Sequence, residues 1–159
     1  MNKSLLIDVI VREITSALNN SLAAAEEARA TATNKENAAE NKYDTLSLEA
    51  AYLAHGQSER VVQLEKDLAA YVFLKKRVKD HEIADVGSLV KLEYKTGEGR
   101  FLFIGPASGG LVVSLSGSSV IVITPGSPLG KALLGVGVDD EVSVDVAGSA
   151  SKARIAGLW

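Results

Sequence analysis

The chain has 159 residues, 47% of them hydrophobic and 23% charged, with a formal net charge of -3, two histidines and no cysteine. That length suits one domain or two small ones, and the missing cysteines exclude disulfides, thiolate metal sites and thiol nucleophiles, in keeping with a reducing compartment. The slight acidity leaves no footprint for nonspecific nucleic-acid binding, and no apolar run approaches the ~20 residues that a membrane span needs.

At the N-terminus, Met1 to Ile7 offers too short an apolar core for a secretory signal and Asp8 follows too early, so a cytoplasmic location is expected. Ile7, Val11, Ile14, Leu18, Leu22, Ala25 and Ala28 then recur at intervals of three and four, which places one apolar stripe on one helix. A second stripe runs through Tyr43, Leu46, Ala50, Leu53, Val61, Leu64, Leu68 and Val72, broken around Gly56 and Gln57. Residues 1–77 contain no proline and one glycine, so the sequence predicts an antiparallel coiled-coil hairpin there. A first helix of about 30 residues reaches about 45 Å, enough to carry the bend well away from any small domain. Gly56 costs roughly 1 kcal/mol inside a helix and is expected to admit a close approach of the partner backbone.

The bend falls near residues 33–44, where Glu36, Glu40 and Asp44 are spaced by four. Wherever the backbone is helical, such carboxylates share one face and repel by a few tenths of a kcal/mol per pair. Two readings stand. In one, the acids are a solvated helix start, with Thr33 and Glu36 in the S/T-x-x-E spacing of a capping box. In the other, they form a carboxylate cluster that helps hold Mg²⁺ together with a partner's ligands, since Mg²⁺ takes one or two protein carboxylates and fills its octahedron with water or phosphate oxygens.

Composition switches around residues 75–81: thirteen of the fourteen glycines and all three prolines come later, and the domain boundary is placed between residues 77 and 78. Lys75, Lys76, Arg77 and Lys79 suit either the negative end of a helix dipole and solubility, or docking on an acidic surface or near nucleic-acid backbone. Residues 88–94, 100–104, 111–115, 120–123, 141–146 and 153–158 read as strands, with a glycine turn at 95–99. Between them, Ser127 stands as N-cap, Pro128 at the first helical position and Gly135 just past the end of a short helix. The predicted class is α+β: a helical hairpin followed by a small antiparallel β domain with one helix, spanning residues 78–159.

Chemistry for an enzyme acting alone is missing. His55 and His81 are the only histidines, one mid-helix and one in the predicted linker, and neither neighbours a nucleophile elbow. Gly105, Gly109 and Gly110 lack the Lys-Ser/Thr of a phosphate loop and read as turn glycines. Tyr71, Phe101 and Trp159 read as core or sheet residues.

Residues Ser127 to Gly135, followed by Val138 to Val144, resemble the S-P-(L/I)-x-(R/K)-A-L-(L/I)-G and G-D-x-V-x-V motifs of the bacterial Gre transcript-cleavage factors. The opening Gly87-Ser88-Leu89-Val90 is similar to that family's FKBP-like C-terminal domain, and Glu40 to Leu53 resembles a short Gre-like branch with E-N-K-Y-D-T-x-x-L-E-A-x-Y-L. The resemblance implies a coiled coil that enters the secondary channel of RNA polymerase and a C-terminal domain that docks at its mouth. Glu36, Glu40 and Asp44 would be the catalytic acids, sharing Mg²⁺ with the polymerase; Asn41, Tyr43, Lys75, Lys76, Arg77, Ser127 and Pro128 would touch the partner. Contact with nascent RNA and DNA would be indirect, with no membrane and no small-molecule substrate, and the factor would stimulate the polymerase's own nuclease rather than be an enzyme. Gre tips carry D-x-x-E-N-x-E-Y; here, aligning Glu40-Asn41 to its E-N places Asn37 at the Asp, and aligning Glu36-Asn37 places Thr33 there. Two alternatives remain: a channel-binding regulator that does not promote cleavage, and an FKBP-like binding or folding module.

Overall fold

The computed structural model describes residues 2–33, 45–80, 82–146 and 149–159. Two long helices, α1 (Lys3–Thr33) and α2 (Leu46–Lys75), precede strands β1 (Leu89–Tyr94), β2 (Gly99–Ile104), β3 (Val112–Leu115) and β4 (Ser118–Ile123). A short helix, α3 (Pro128–Leu133), and strands β5 (Glu141–Val146) and β6 (Ser149–Leu158) complete the order. The α+β class and the hairpin-then-sheet arrangement agree with the sequence reading. By contacts the chain forms two compact units, one of residues 12–68 and one of residues 1–11 with 69–159.

Residues 12–68 hold α1 from Arg12 to its end and α2 from its start to Leu68. Ala24, Ala28 and Thr31 share one cleft with Glu49, Ala50 and Leu53, while Leu22 and Ala25 share another with Ala54, Ser58 and Val61. Moving back along α1 thus moves forward along α2, and the helices run antiparallel. Their inner faces are partly as the stripes predict, with Ile14, Ala28 and Ala50 buried. Leu22 and Leu53 instead stay 47% and 56% exposed, whereas Ser21 and Asp67 are buried. Asp67 accepts a 2.7 Å hydrogen bond from the Gln63 amide one turn back, so its carboxylate is not left bare. Gly56 has nothing within 4 Å of where a Cβ would stand, which removes the expected close approach.

The helix ends follow local chemistry. Asn2 caps α1, its side-chain oxygen accepting from the Leu5 N–H at 3.1 Å. Thr45 precedes α2, its hydroxyl donating to the Glu49 carboxylate at 3.1 Å. Thr33 is not an N-cap, as the capping-box reading requires: it is the last residue of α1, and its hydroxyl donates to the carbonyls of Arg29 and Ala30. A threonine hydroxyl returns readily to the carbonyl one turn back, so the S/T-x-x-E spacing alone does not tell a helix end from a helix start.

The second unit is built on a six-stranded sheet of order β3-β4-β2-β1-β6-β5. All neighbours are antiparallel except β2 and β4, which pair in parallel from Phe101 with Val120 to Ile104 with Ile123. The wholly antiparallel sheet expected from sequence is therefore mixed. The cause is the order of connection: β3 intervenes in sequence but turns back on β4 through Ser116 and Gly117, both at positive φ, leaving β4 to enter beside β2 in the same direction. One face carries Val90, Leu92, Leu102, Ile104, Ala153 and Ile155 against Ala84 and Leu133. The alternate residues Leu89, Phe103, Val120 and Val122 are also buried, in the unit that includes Leu6, Ile7, Ile10 and Tyr71. Tyr71, rather than the predicted Val72, points inward: its hydroxyl donates to the Ala107 carbonyl at 2.9 Å, while Val72 is 47% exposed.

Candidate functional site

Glu36, Glu40, Asp44, Asn41 and Tyr43, the residues the sequence puts at the bend, lie outside the described residues, as does His81. Their flanks are described: Thr33 closes α1 and Thr45 opens α2. The remaining candidates fall at two places in the sheet-bearing unit.

The basic cluster sits at the end of α2, where unpaired helix carbonyls favour cations. Lys75, in the last turn, is ion-paired to Asp8 of α1 and so ties the two helices at this end. Lys76 is exposed. Arg77 lies with its guanidinium 4.2 Å from the centre of the Phe73 ring, which is 57% exposed. Phe73 was missed in sequence; its signal is an aromatic residue one helical turn before an arginine, off the apolar stripe. Nearby, Lys3 is buried and bonds the Lys79 carbonyl, with Asp80 at 3.3 Å.

Ser127 and Pro128 behave as the capping reading requires. The Ser127 hydroxyl accepts from the Gly130 N–H at 3.0 Å and donates to the Thr124 carbonyl at 2.7 Å, with Pro128 opening α3. Gly130 is fixed by the same turn, because a Cβ there would overlap the Thr124 carbonyl. The acids that follow have structural partners too. Asp140 accepts from the Gly137 N–H at 2.8 Å, and Asp139 accepts from Arg154 at 2.6 Å. Arg154 also donates to Glu93 at 2.7 Å, and these two hydrogen bonds, that to Glu93 first, hold its pKa above the ordinary arginine value. A raised pKa in the folded state means that this cation's contribution is present throughout neutral pH and is lost only in strong alkali.

Among the described residues, no three histidine, aspartate or glutamate side chains come together as a metal site, and no helix is long and apolar enough to cross a membrane. His55 is exposed and stands 3.5 Å from Glu59, one turn along α2.

No family model matches the chain, and no curated protein does. Solved structures do. The transcription factor Gfh1 is similar over 93% of this chain and 92% of its own, at 21% identity and a TM-score of 0.43. GreA factor homolog 1 (Gfh1) of Thermus thermophilus is similar over 94% of each chain, at 20% identity and a TM-score of 0.39. The prokaryotic transcription elongation factor GreA/GreB from Nitrosomonas europaea is similar over 52% of this chain and 64% of its own, at 23% identity and a TM-score of 0.38. At such identities and TM-scores the likeness assigns no activity.

Proposed function

We propose that this chain is a Gre-like transcription factor that acts on RNA polymerase as an accessory, its helical hairpin entering the secondary channel and its acids assisting cleavage of backtracked RNA. The observation that carries the reading is a conjunction within one chain. Two antiparallel helices are joined by a segment bearing Glu36, Glu40 and Asp44, and a small sheet domain follows in which the Ser127–Gly135 motif forms a capped helix. A hairpin of this kind completes a partner's site rather than building its own.

Three carboxylates are the hard oxygen donors that Mg²⁺ accepts, and the polymerase and RNA phosphate would supply the rest. When bound, such an ion activates water and stabilises the oxygen displaced from phosphorus. The part of this chain is to present and orient the acids, while Lys76, Arg77 and Phe73 at the far end of α2 offer a cationic, aromatic surface to an acidic partner.

Stalled, backtracked elongation complexes test the reading directly. Added native protein is expected to shorten the RNA, and changing Glu36, Glu40 and Asp44 together to Ala is expected to abolish shortening while leaving polymerase binding within about tenfold, because the rest of the hairpin and the sheet domain keep their contacts. Failure of the native protein to bind polymerase would end the proposal. A second reading, binding without cleavage, is favoured by one feature: in either alignment Asn37 or Thr33 occupies the place of the Gre tip aspartate. It predicts polymerase binding with no change in RNA length.

A further inference from the structure

Within residues 12–68, α2 carries a second row of side chains spaced alternately by four and three: Leu48, Tyr52, His55, Glu59, Val62 and Lys66. This is the spacing with which a helix packs lengthwise on another helix. The row is nevertheless uncovered: Leu48, Tyr52 and Val62 are 55%, 69% and 49% exposed, and the side chains of His55 and Glu59 are 74% and 73% exposed. The α2 residues buried in this unit, Ala50 and Asp67, belong to a different side of the helix.

We propose that this row is the seam of a two-fold self-association, in which α2 of a second copy lies antiparallel across α2 of the first. The occupant is identified by complementarity. A two-fold axis beside position 57 sets Tyr52 opposite Val62, Leu48 opposite the aliphatic stem of Lys66, and His55 opposite Glu59 of the other copy, so that no like charges meet. A parallel alignment sets Glu59 against Glu59 and His55 against His55. The polar centre thus selects one direction and one register, as a polar seam position does in coiled coils. The seam is roughly 27 Å long, which suits a weak dimer. The inference does not rest on the polymerase reading, and the two states exclude each other: a hairpin paired along this seam must separate before it enters a channel.

Sedimentation velocity of the full chain at pH 7 tests it. A monomer–dimer equilibrium is expected with a dissociation constant in the range of roughly 10–100 μM. H55E, which sets two carboxylates face to face at both symmetric positions, is expected to weaken it by about tenfold or more. H55E/E59H restores opposite partners under the antiparallel register and is expected to return the constant to within about threefold of native. Tyr52→Ser, at an exposed position outside the hairpin interior, is expected to weaken the dimer as well. A chain that stays monomeric at several times the upper concentration, a Tyr52→Ser dimer as tight as native, or an H55E/E59H chain no tighter than H55E overturns the proposal.

Discussion

Three glycines show how differently one residue type is used. A Cβ at Gly105 would overlap the Tyr71 hydroxyl and come within 2.9 Å of Val122, so the backbone must pass bare beneath the tyrosine. Gly105→Ala is expected to lower stability by about 2 kcal/mol or more, read as a fall in the chemical-denaturation midpoint, since both obstacles sit in a packed core. Gly130 is held by its own turn, against the Thr124 carbonyl. Gly56 is the opposite case, a mid-helix residue with open space around it. Gly56→Ala is expected to stabilise the chain by about 0.5–1 kcal/mol through helix propensity alone, without loss of any partner function.

Elements here are set by their ends. Ser127 satisfies one orphan N–H of α3 and binds the Thr124 carbonyl, so one side chain both starts the helix and closes the turn before it. Ser127→Ala is expected to cost about 1 kcal/mol in thermal unfolding, and Ser127→Thr or Ser127→Asp to recover part of it. The same chemistry explains why the Ser127–Gly135 motif was legible: cap, proline and glycine act locally and in sequence order. The long helices were legible in extent for the same reason, through their composition and the absence of proline. Their buried sides were less so. Ser21 and Tyr71 turn inward one position before the predicted Leu22 and Val72, and yet the face is kept: Ser21 continues the line of Ile7, Ile14 and Ala28, and Tyr71 that of Ala50, at multiples of seven. Small residues along the hairpin give the sequence few large side chains with which to declare the inner face.

At the scale of the molecule, the chain returns to its starting unit: residues 1–11 belong with 69–159, although 57 residues of hairpin separate them. Leu6, Ile7 and Ile10 are fully buried there. Ile7→Ala is expected to cost about 2–5 kcal/mol, and because that unit contains the sheet, the loss should appear as faster amide exchange in β1, β2 and β4. A change confined to amides of residues 12–68 would contradict this assignment. The switch in composition near residue 77 therefore falls inside a compact unit, since glycine and proline content reports local backbone demands and not which distant segments share a core.

By itself the sequence determined the helices, the strands and the α3 cap, because each follows from periodicity, backbone preference or bonds that span a few residues. It also carried the motif resemblance on which the functional reading rests, whereas Phe73 beside Arg77 and the uncovered row on α2 became visible only with burial known. The parallel pairing of β2 with β4, the burial of Ser21 and Tyr71 in place of Leu22 and Val72, and the union of residues 1–11 and 69–159 in one unit were decided by tertiary structure. These depend on contacts between residues far apart in the chain, where packing and loop connection, rather than local propensity, select among arrangements of similar local energy.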